Sequence, residues 1–168
     1  LCKILYVPEH IEIKIVNQLP VIKGDKTKLQ QLFQNLISNA VKFIDKEKGL
    51  IEIKVLELST HFEFSVKDNG MGIEKQFHDK IFKIFEQSEN QDVKKYGGTG
   101  LGLAISKKLA ELMNGSLEVK STLGEGSTFV LLLKNIDISS ISEEQDYLQN
   151  DINNSAIHFE QATILVTD

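Results

Sequence analysis

The stretch DKTKLQQLFQNLISNAVKF, residues 25–43, has the pattern of a single amphipathic helix. Asp25 suits the N-cap position, because an aspartate side chain accepts a hydrogen bond from the backbone of the first turn. Apolar residues then recur at intervals of three and four, which puts them on one face: Leu29, Leu32, Phe33, Leu36, Ile37, Ala40 and Val41. The sequence therefore predicts a helix from Asp25 to about Phe43 that is buried along one side.

A polar stripe runs along the same helix. Asn35, Asn39 and Lys42 follow one another at i, i+4 and i+7, opposite the centre of the apolar face. A solvated face is the ordinary interpretation, yet asparagine is a mediocre helix former and two in a helix interior need a reason. Carboxamide oxygens can bind a hard cation such as Mg²⁺, and a lysine can reach phosphate oxygens. Alone, the stripe is a weak signal for such a site.

Strand patterns flank this helix on both sides. Apolar and polar residues alternate over residues 11–16, 50–56 and 62–67, which predicts three strands. Residues 116–121 and 127–133 have the pattern of a closing strand pair around the turn Gly124-Glu125-Gly126. A short amphipathic helix is predicted from about residue 74 to 85, then a long polar loop over 86–100. A second long helix is predicted over 101–113, with Asn114-Gly115 as its C-cap.

Two glycine-containing segments stand at strand and helix ends. In DNGMGI, residues 68–73, Asp68 is an acceptor at the end of a strand, and Gly70 and Gly72 allow close backbone approach; an ordinary Asx turn is the alternative. In GGTGLGL, residues 97–103, glycines precede a helix, where backbone N–H groups can converge on an anion. A flexible hinge is the alternative there, and neither the Rossmann nor the Walker pattern is present.

Composition limits the class of protein. The 168 residues are 41% hydrophobic and 26% charged, as in globular domains, and the net charge is −5. Arginine is absent, so duplex nucleic-acid binding is not expected. Cys2 is the one cysteine, which rules out an internal disulfide framework. No membrane segment or signal peptide is visible, and we expect a cytoplasmic location, although the parent protein could be membrane-anchored.

Taken in order, these segments resemble the catalytic ATP-binding domain of sensor histidine kinases, within the GHKL ATPase superfamily. Residues 25–43 resemble the asparagine box, VKDNGMGI the first glycine box and IFKIFEQ the phenylalanine box. YGGTGLGLAISKKLAELMNGSLEVKSTLGEGSTF resembles the second glycine box and the strands that follow it. The resemblance implies an α/β (α+β) two-layer sandwich, a mixed β-sheet with about three helices on one face (the Bergerat-type ATP-binding fold).

The resemblance also implies domain boundaries. Residues 1–10 would be a linker from a preceding helical domain, 11–134 the ATP-binding catalytic domain, and 135–161 an acidic polar linker. Residues 162–168, ATILVTD, resemble the opening strand of a receiver domain, as in a hybrid kinase.

ATP and Mg²⁺ are the implied cofactors, and the family supplies roles for the site residues. Asp68 would accept from the adenine amino group, and Asn39 would ligate the Mg²⁺ with Asn35 assisting. The implied catalytic residues are Asn35, Lys42, Lys94 and Lys95, of which the last two lie on a lid over residues 86–97. The other implied nucleotide-binding residues are Phe43, Gly70, Gly72, Ile73, Phe82, Tyr96, Gly98, Thr99, Gly100, Leu101, Gly102, Leu103 and Thr128.

Position 35 separates the enzyme classes of the superfamily. Hydrolytic members carry a glutamate four residues before the metal-binding asparagine, whereas Asn35 cannot act as a base near neutral pH. The resemblance therefore implies transfer of the γ-phosphoryl group to a histidine, and disfavours an ATPase clamp; the lid and the receiver-like tail disfavour a Ser/Thr kinase. A nucleotide-binding module that has lost transferase activity and signals through lid closure remains the alternative.

The phosphoacceptor is expected elsewhere. Family kinases phosphorylate a histidine in a motif like His-Glu-x-x-x-Pro, and none of the four histidines has that context: His10, His61, His78 and His158. The implied partners are a histidine-bearing dimerisation domain of the same parent protein and a C-terminal receiver domain or response regulator.

Overall fold

Five strands form one mixed sheet in the computed structural model, which describes residues 6–20, 22–83 and 100–134 and the backbone of 156–159 and 162–165. The strands are β1 (Ile11–Ile15), β2 (Gly49–Leu58), β3 (His61–Asp68), β4 (Gly115–Thr122) and β5 (Gly126–Lys134). Their order is β1-β2-β3-β5-β4. The β1–β2 pair is parallel and the other three pairs are antiparallel.

The helical layer of the described residues consists of α1 (Lys26–Phe43), α2 (Gly102–Leu112) and two single-turn 3₁₀ helices, Lys75–Phe77 and Lys80–Phe82. Together with the sheet it confirms the predicted fold class, a mixed sheet in a two-layer arrangement. None of the helices in the described ranges is long and apolar enough to cross a membrane.

Helix α1 begins where its sequence predicts. The Asp25 carboxylate accepts from Lys28 N at 3.0 Å, which satisfies one of the donors left open at a helix start. The Lys28 side chain also pairs with Asp25 and lowers the pKa of that exposed carboxyl group. The predicted apolar face is buried at Leu29, Leu32, Phe33, Leu36, Ile37 and Ala40.

The core lies between α1 and one face of the sheet. Alternate residues of β3 are buried there, and they pair with alternate residues of β5: Phe64 with Leu131 and Val66 with Phe129. Phe33 of α1 meets Phe64 edge to face, with ring centroids 5.6 Å apart. The same alternation puts Asp68 on this buried face at the very end of β3.

Both predicted turn signals are confirmed. After α2, Asn114 adopts φ 57°, the left-handed conformation that ends helices. Between β4 and β5, Gly124 and Gly126 have φ of 84° and 119°. The turn therefore uses glycine where other residues would be strained.

The amphipathic helix predicted to end at residue 85 is wrong over its described part, which forms the two 3₁₀ turns. His78 Nε2 lies 3.1 Å from the Ile73 carbonyl oxygen, the acceptor that an α-helix would use for its first bond. Phe77 N donates instead to Glu74 O at 2.9 Å, an i+3 bond. The His78 side chain therefore contacts the carbonyl oxygen that would accept the first hydrogen bond of an α-helix.

Beyond β5, the backbone of Ala156–Phe159 (β6) and Ala162–Leu165 (β7) forms an antiparallel pair. β7 lies within residues 162–168, the segment that resembles an opening strand. β6 lies within residues 135–161, the range predicted as a linker. The assignment of β7 to a receiver domain stays a prediction.

Candidate functional site

Asp68 is the one buried acid among the described residues, with 5% of its surface exposed. Its Oδ1 atom accepts from Gly70 N at 2.8 Å and from Ser127 N at 3.3 Å. Nothing among the described residues donates to Oδ2. One carboxylate oxygen therefore holds the turn together, and the other is available as an acceptor for a ligand.

The protonation of Asp68 reflects two opposed influences. Burial raises the pKa of this carboxyl group, while the N–H donors of Gly70 and Ser127 and the nearby charge of Lys46 act in the other direction. Because the pKa is raised in the folded state, ionised Asp68 lowers stability at neutral pH relative to acid pH. The site therefore retains a buried carboxylate although its ionised form lowers the stability of the folded chain.

Glycines let the segment after Asp68 lie against two other elements. A Cβ on Gly70 would collide with the Phe43 carbonyl at the end of α1, and one on Gly72, at φ 70°, with the Thr122 carbonyl at the end of β4. Met71 N donates to that same Phe43 oxygen at 3.0 Å. In this structure, therefore, Gly70 and Gly72 lie against protein backbone. The contact of Gly70 with Phe43 brings the end of α1 close to Asp68.

Asn69 is a site-building residue that the sequence interpretation passed over. Its side chain accepts from Leu50 N at 2.8 Å and donates to Lys48 O at 3.0 Å. These bonds fasten the turn to the start of β2. The Asx-turn composition of the segment was the signal that could have found it.

The register of β5 gives the face of the sheet on which Thr128 lies. Thr128 pairs with Lys67 and Lys120, so strand alternation puts it on the sheet face opposite Asp68. Ser127 lies on the same face as Asp68. It is buried, pairs with Asp68 across the sheet and donates its backbone N–H to the Asp68 carboxylate. Alternation counted back from buried Phe129 would have identified Ser127.

The polar stripe of α1 does not form a solvated face. Asn35 Nδ2 donates to Gly102 O and to Ser106 Oγ, both at 3.2 Å, and so links α1 to the first turns of α2. Lys42 is half-buried with Nζ 4.8 Å from the centre of the Phe43 ring, and burial lowers its pKa. Asn39 is partly exposed, and its side chain has no hydrogen-bond partner in the described part of the chain.

Asn39 is the residue predicted to bind a metal ion. Within residues 6–20, 22–83 and 100–134, no three His, Cys, Asp or Glu side chains come together to hold an ion. A protein site for Mg²⁺ does not need them, since this ion keeps several waters and takes substrate phosphate oxygens as ligands. The carboxamide oxygen of Asn39 fits that requirement.

The remaining predicted residues divide into two groups. Ile73 N donates to Ser121 Oγ at 2.8 Å, Phe82 lies under Lys107 Nζ at 5.1 Å, and Gly100 adopts φ 69° just before α2. Leu101 is the N-cap of α2, and Leu103 packs against the core. Outside the described residues lie Lys94, Lys95, Tyr96, Gly98 and Thr99.

Known proteins are similar to this chain in sequence. A family model for the histidine kinase-, DNA gyrase B- and HSP90-like ATPases matches residues 24–136. Cyanobacterial phytochrome A of Nostoc sp. is 50% identical over 111 residues, which cover 66% of this chain and 14% of that protein. Hybrid signal transduction histidine kinase B of Dictyostelium discoideum is 39% identical over 112 residues, 65% of this chain and 6% of that protein.

A solved structure has a similar fold. Full-length ShkA in complex with AMPPNP is 31% identical and superposes with a TM-score of 0.64, covering 77% of this chain and 26% of ShkA. The present chain thus corresponds to a small part of each of these longer proteins.

Proposed function

This chain belongs to the family of histidine kinase-, DNA gyrase B- and HSP90-like ATPases, and from that membership we propose that it binds Mg·ATP and donates the γ-phosphoryl group to a histidine on a separate dimerisation domain. The observation that carries the proposal is the buried carboxylate of Asp68, with Oδ1 held by two backbone donors and Oδ2 left as an acceptor. A hydrogen bond from the amino group of adenine to Oδ2 would select adenine over guanine, which presents an acceptor at the equivalent position.

The phosphate end of the nucleotide would lie between α1 and the start of α2. Asn39 would contribute a carboxamide oxygen to the metal, and Lys42 would balance phosphate charge. Mg²⁺, when bound, supplies neutralisation of the charge on the phosphate oxygens. The N-terminus of α2 adds backbone donors and the positive end of its dipole. The complex of ShkA with AMPPNP supports an adenine nucleotide as the ligand.

In the proposed reaction, a ring nitrogen of the acceptor histidine forms a bond to the γ-phosphorus. The bond from that phosphorus to the β–γ bridging oxygen breaks, and ADP leaves. Such transfers depend on positioning and charge neutralisation more than on covalent chemistry by the protein. The chain's own contribution is therefore to hold ATP in place for a histidine supplied by another domain.

Asn35 favours transfer over hydrolysis. An amide cannot take a proton from water near neutral pH, and both hydrogens of Asn35 Nδ2 have acceptors on α2. This disfavours the ATPase-clamp alternative. A module that binds ATP but no longer transfers phosphate would make the same contacts, so only an assay of phosphate transfer distinguishes it from a kinase.

We further propose the arrangement of the parent protein: a dimerisation domain that precedes a linker over residues 1–10, the catalytic domain over 11–134, a linker over 135–161, and a receiver domain that starts near residue 162. The hybrid kinase relative supports a chain with additional signalling domains.

The test of the proposed function is calorimetric titration of the chain with ATP, with and without Mg²⁺, and with GTP as the control nucleotide. We expect binding that requires adenine and strengthens with Mg²⁺. Phosphate transfer to an added dimerisation domain of the parent protein would then separate the kinase from the module without transferase activity. ATP binding that GTP matches would contradict the role of Asp68.

Asn39→Ala is expected to remove the gain in ATP affinity that Mg²⁺ provides, because the variant lacks the carboxamide oxygen proposed as a metal ligand. The measurement is the ratio of ATP dissociation constants with and without Mg²⁺. Ser38→Ala, a change at the exposed neighbouring position, is the control and should keep the wild-type ratio. An Asn39→Ala ratio equal to that of wild type would exclude Asn39 as a ligand.

Adenine binding should weaken in acid at a higher pH than an exposed aspartate would require, because burial raises the pKa of Asp68. Protonated Asp68 has lost the free acceptor, so affinity should fall about tenfold per pH unit below that pKa. Adenosine is the proper ligand, since it has no phosphates that titrate. The same titration of Asp68→Asn should be flat over the range; an identical acid limb in both proteins would assign the effect to another group.

A further inference from the structure

Ser106 is a polar residue in a fully buried position of α2. The other two buried polar residues of the described chain, Asp68 and Ser127, both belong to the proposed adenine site. Serine is a poorer helix former than alanine, and a buried hydroxyl group lowers stability unless it is hydrogen-bonded. The side-chain partner recorded for Ser106 is Asn35, 71 residues earlier.

The carboxamide of Asn35 has one orientation that satisfies its surroundings. Nδ2 carries two hydrogens, and the two acceptors at 3.2 Å, Gly102 O and Ser106 Oγ, account for both. A flipped carboxamide would bring Oδ1 against the Gly102 carbonyl, acceptor to acceptor. Oδ1 of Asn35 is therefore directed away from these two groups, on the residue one helical turn before Asn39.

The link joins the two helices that the proposed function assigns to the phosphates. α1 carries Asn39 and Lys42, whereas α2 begins at Gly102, whose carbonyl oxygen is one of the two acceptors. The hydrogen bonds thus fix the first turn of α2 relative to α1. Gly102 itself leaves space, because a Cβ there would come no nearer to Asn35 than 3.8 Å.

We propose that Ser106 is a positioning residue of the nucleotide site: through Asn35 it sets the distance between the start of α2 and the phosphate-binding stripe of α1, and it fixes the carboxamide orientation of Asn35. The inference rests on the proposed ATP site and goes beyond it, since Ser106 touches no nucleotide. Its influence should fall on the phosphate end of the ligand and leave the adenine end, at Asp68, unchanged.

Ser106→Ala tests this on the full 168-residue chain. The substitution removes the acceptor of one hydrogen bond from a buried helical position, a loss that the better helix propensity of alanine offsets in part, so the free energy of unfolding should fall only slightly. Affinity for Mg·ATP should fall about threefold to tenfold, the range for one neutral hydrogen bond, while affinity for adenosine stays the same. Calorimetry measures the affinity for Mg·ATP, and a heteronuclear NMR titration measures the affinity for adenosine.

The controls separate positioning from a general structural effect. Ser65→Ala removes a hydroxyl that contacts Lys54 O on the outer face of the sheet, and it should change neither affinity. In an Asn35→Ala background, Ser106→Ala should have no further effect on ATP affinity, since its partner is gone. Equal losses for ATP and adenosine, or unchanged ATP affinity in Ser106→Ala, would overturn the proposal. Failure of the wild-type chain to bind ATP would instead overturn the proposed function itself.

Discussion

Asp68→Asn is expected to weaken ATP binding by about 1.5–3 kcal/mol, roughly tenfold to a hundredfold, which is the range for losing a hydrogen bond to a charged group. The shape of the side chain is unchanged, so Oδ1 can still accept from Gly70 N and Ser127 N. What changes is the second atom: an NH₂ group replaces Oδ2 and presents donors to the amino group of adenine. The loss should appear in calorimetric titration with Mg·ATP.

The same substitution should leave the fold as stable as before, or more stable. Burial raises the pKa of Asp68, which means that the ionised form is disfavoured in the folded chain at neutral pH. Asparagine removes that penalty and keeps the acceptor that holds the turn. Urea unfolding at pH 7 should therefore give a free energy of unfolding at or above the wild-type value, so that lost affinity cannot be attributed to lost structure.

Selectivity offers a second measurement on this variant. The new NH₂ group can donate to the oxygen that guanine carries in place of the amino group of adenine, so the ratio of ATP to GTP affinity should fall. Glu63→Gln makes the same chemical change on the opposite face of β3 and is the matched control. Full ATP affinity in Asp68→Asn would remove Asp68 from the adenine site.

Local sequence patterns were sufficient to predict helix α1 and the position of Asp68. The apolar period of α1 and the capping aspartate act within a few residues of one another, and the structure has the helix where they predict it. The alternation that leads to Asp68 is equally local, since each strand residue takes its face from its neighbour. Thr128 was implied by the family resemblance alone, whereas alternation from buried Phe129 puts Ser127 on the face of Asp68.

Contacts between distant segments could not be predicted in the same way. A helical wheel puts Asn35 on a stripe, but it does not reveal that α2 covers that part of the stripe through Gly102 and Ser106. The 3₁₀ turns after Ile73 accompany a contact of the His78 ring with the Ile73 carbonyl oxygen, which the apolar pattern does not reveal. Periodicity describes one element at a time, whereas the site is formed where several elements meet.

Gly126→Ala is expected to lower the free energy of unfolding by roughly 3–5 kcal/mol, because two costs coincide there. The residue has φ 119°, outside the range that L side chains adopt readily, and its Cβ would collide with the carbonyl oxygen of Asp68 and lie 2.9 Å from Asn69 Cα. Both neighbours are backbone atoms within the sheet and its turn, so they cannot move aside as a side chain end could. Urea denaturation of the nucleotide-free chain measures the change.

Gly124→Ala, two residues away in the same turn, separates the two costs. Its φ is 84°, but a Cβ there would meet nothing within 4 Å, so only the backbone penalty of about 1–2 kcal/mol applies. The difference between the variants is then the cost of the collision with Asp68. Because Gly126→Ala pushes on the backbone of Asp68, it should also weaken ATP binding, which Gly124→Ala should leave intact. Equal stability losses would mean that β5 shifts to accommodate the new methyl group, and the adenine site would then be less rigidly tied to the β4–β5 turn than these contacts imply.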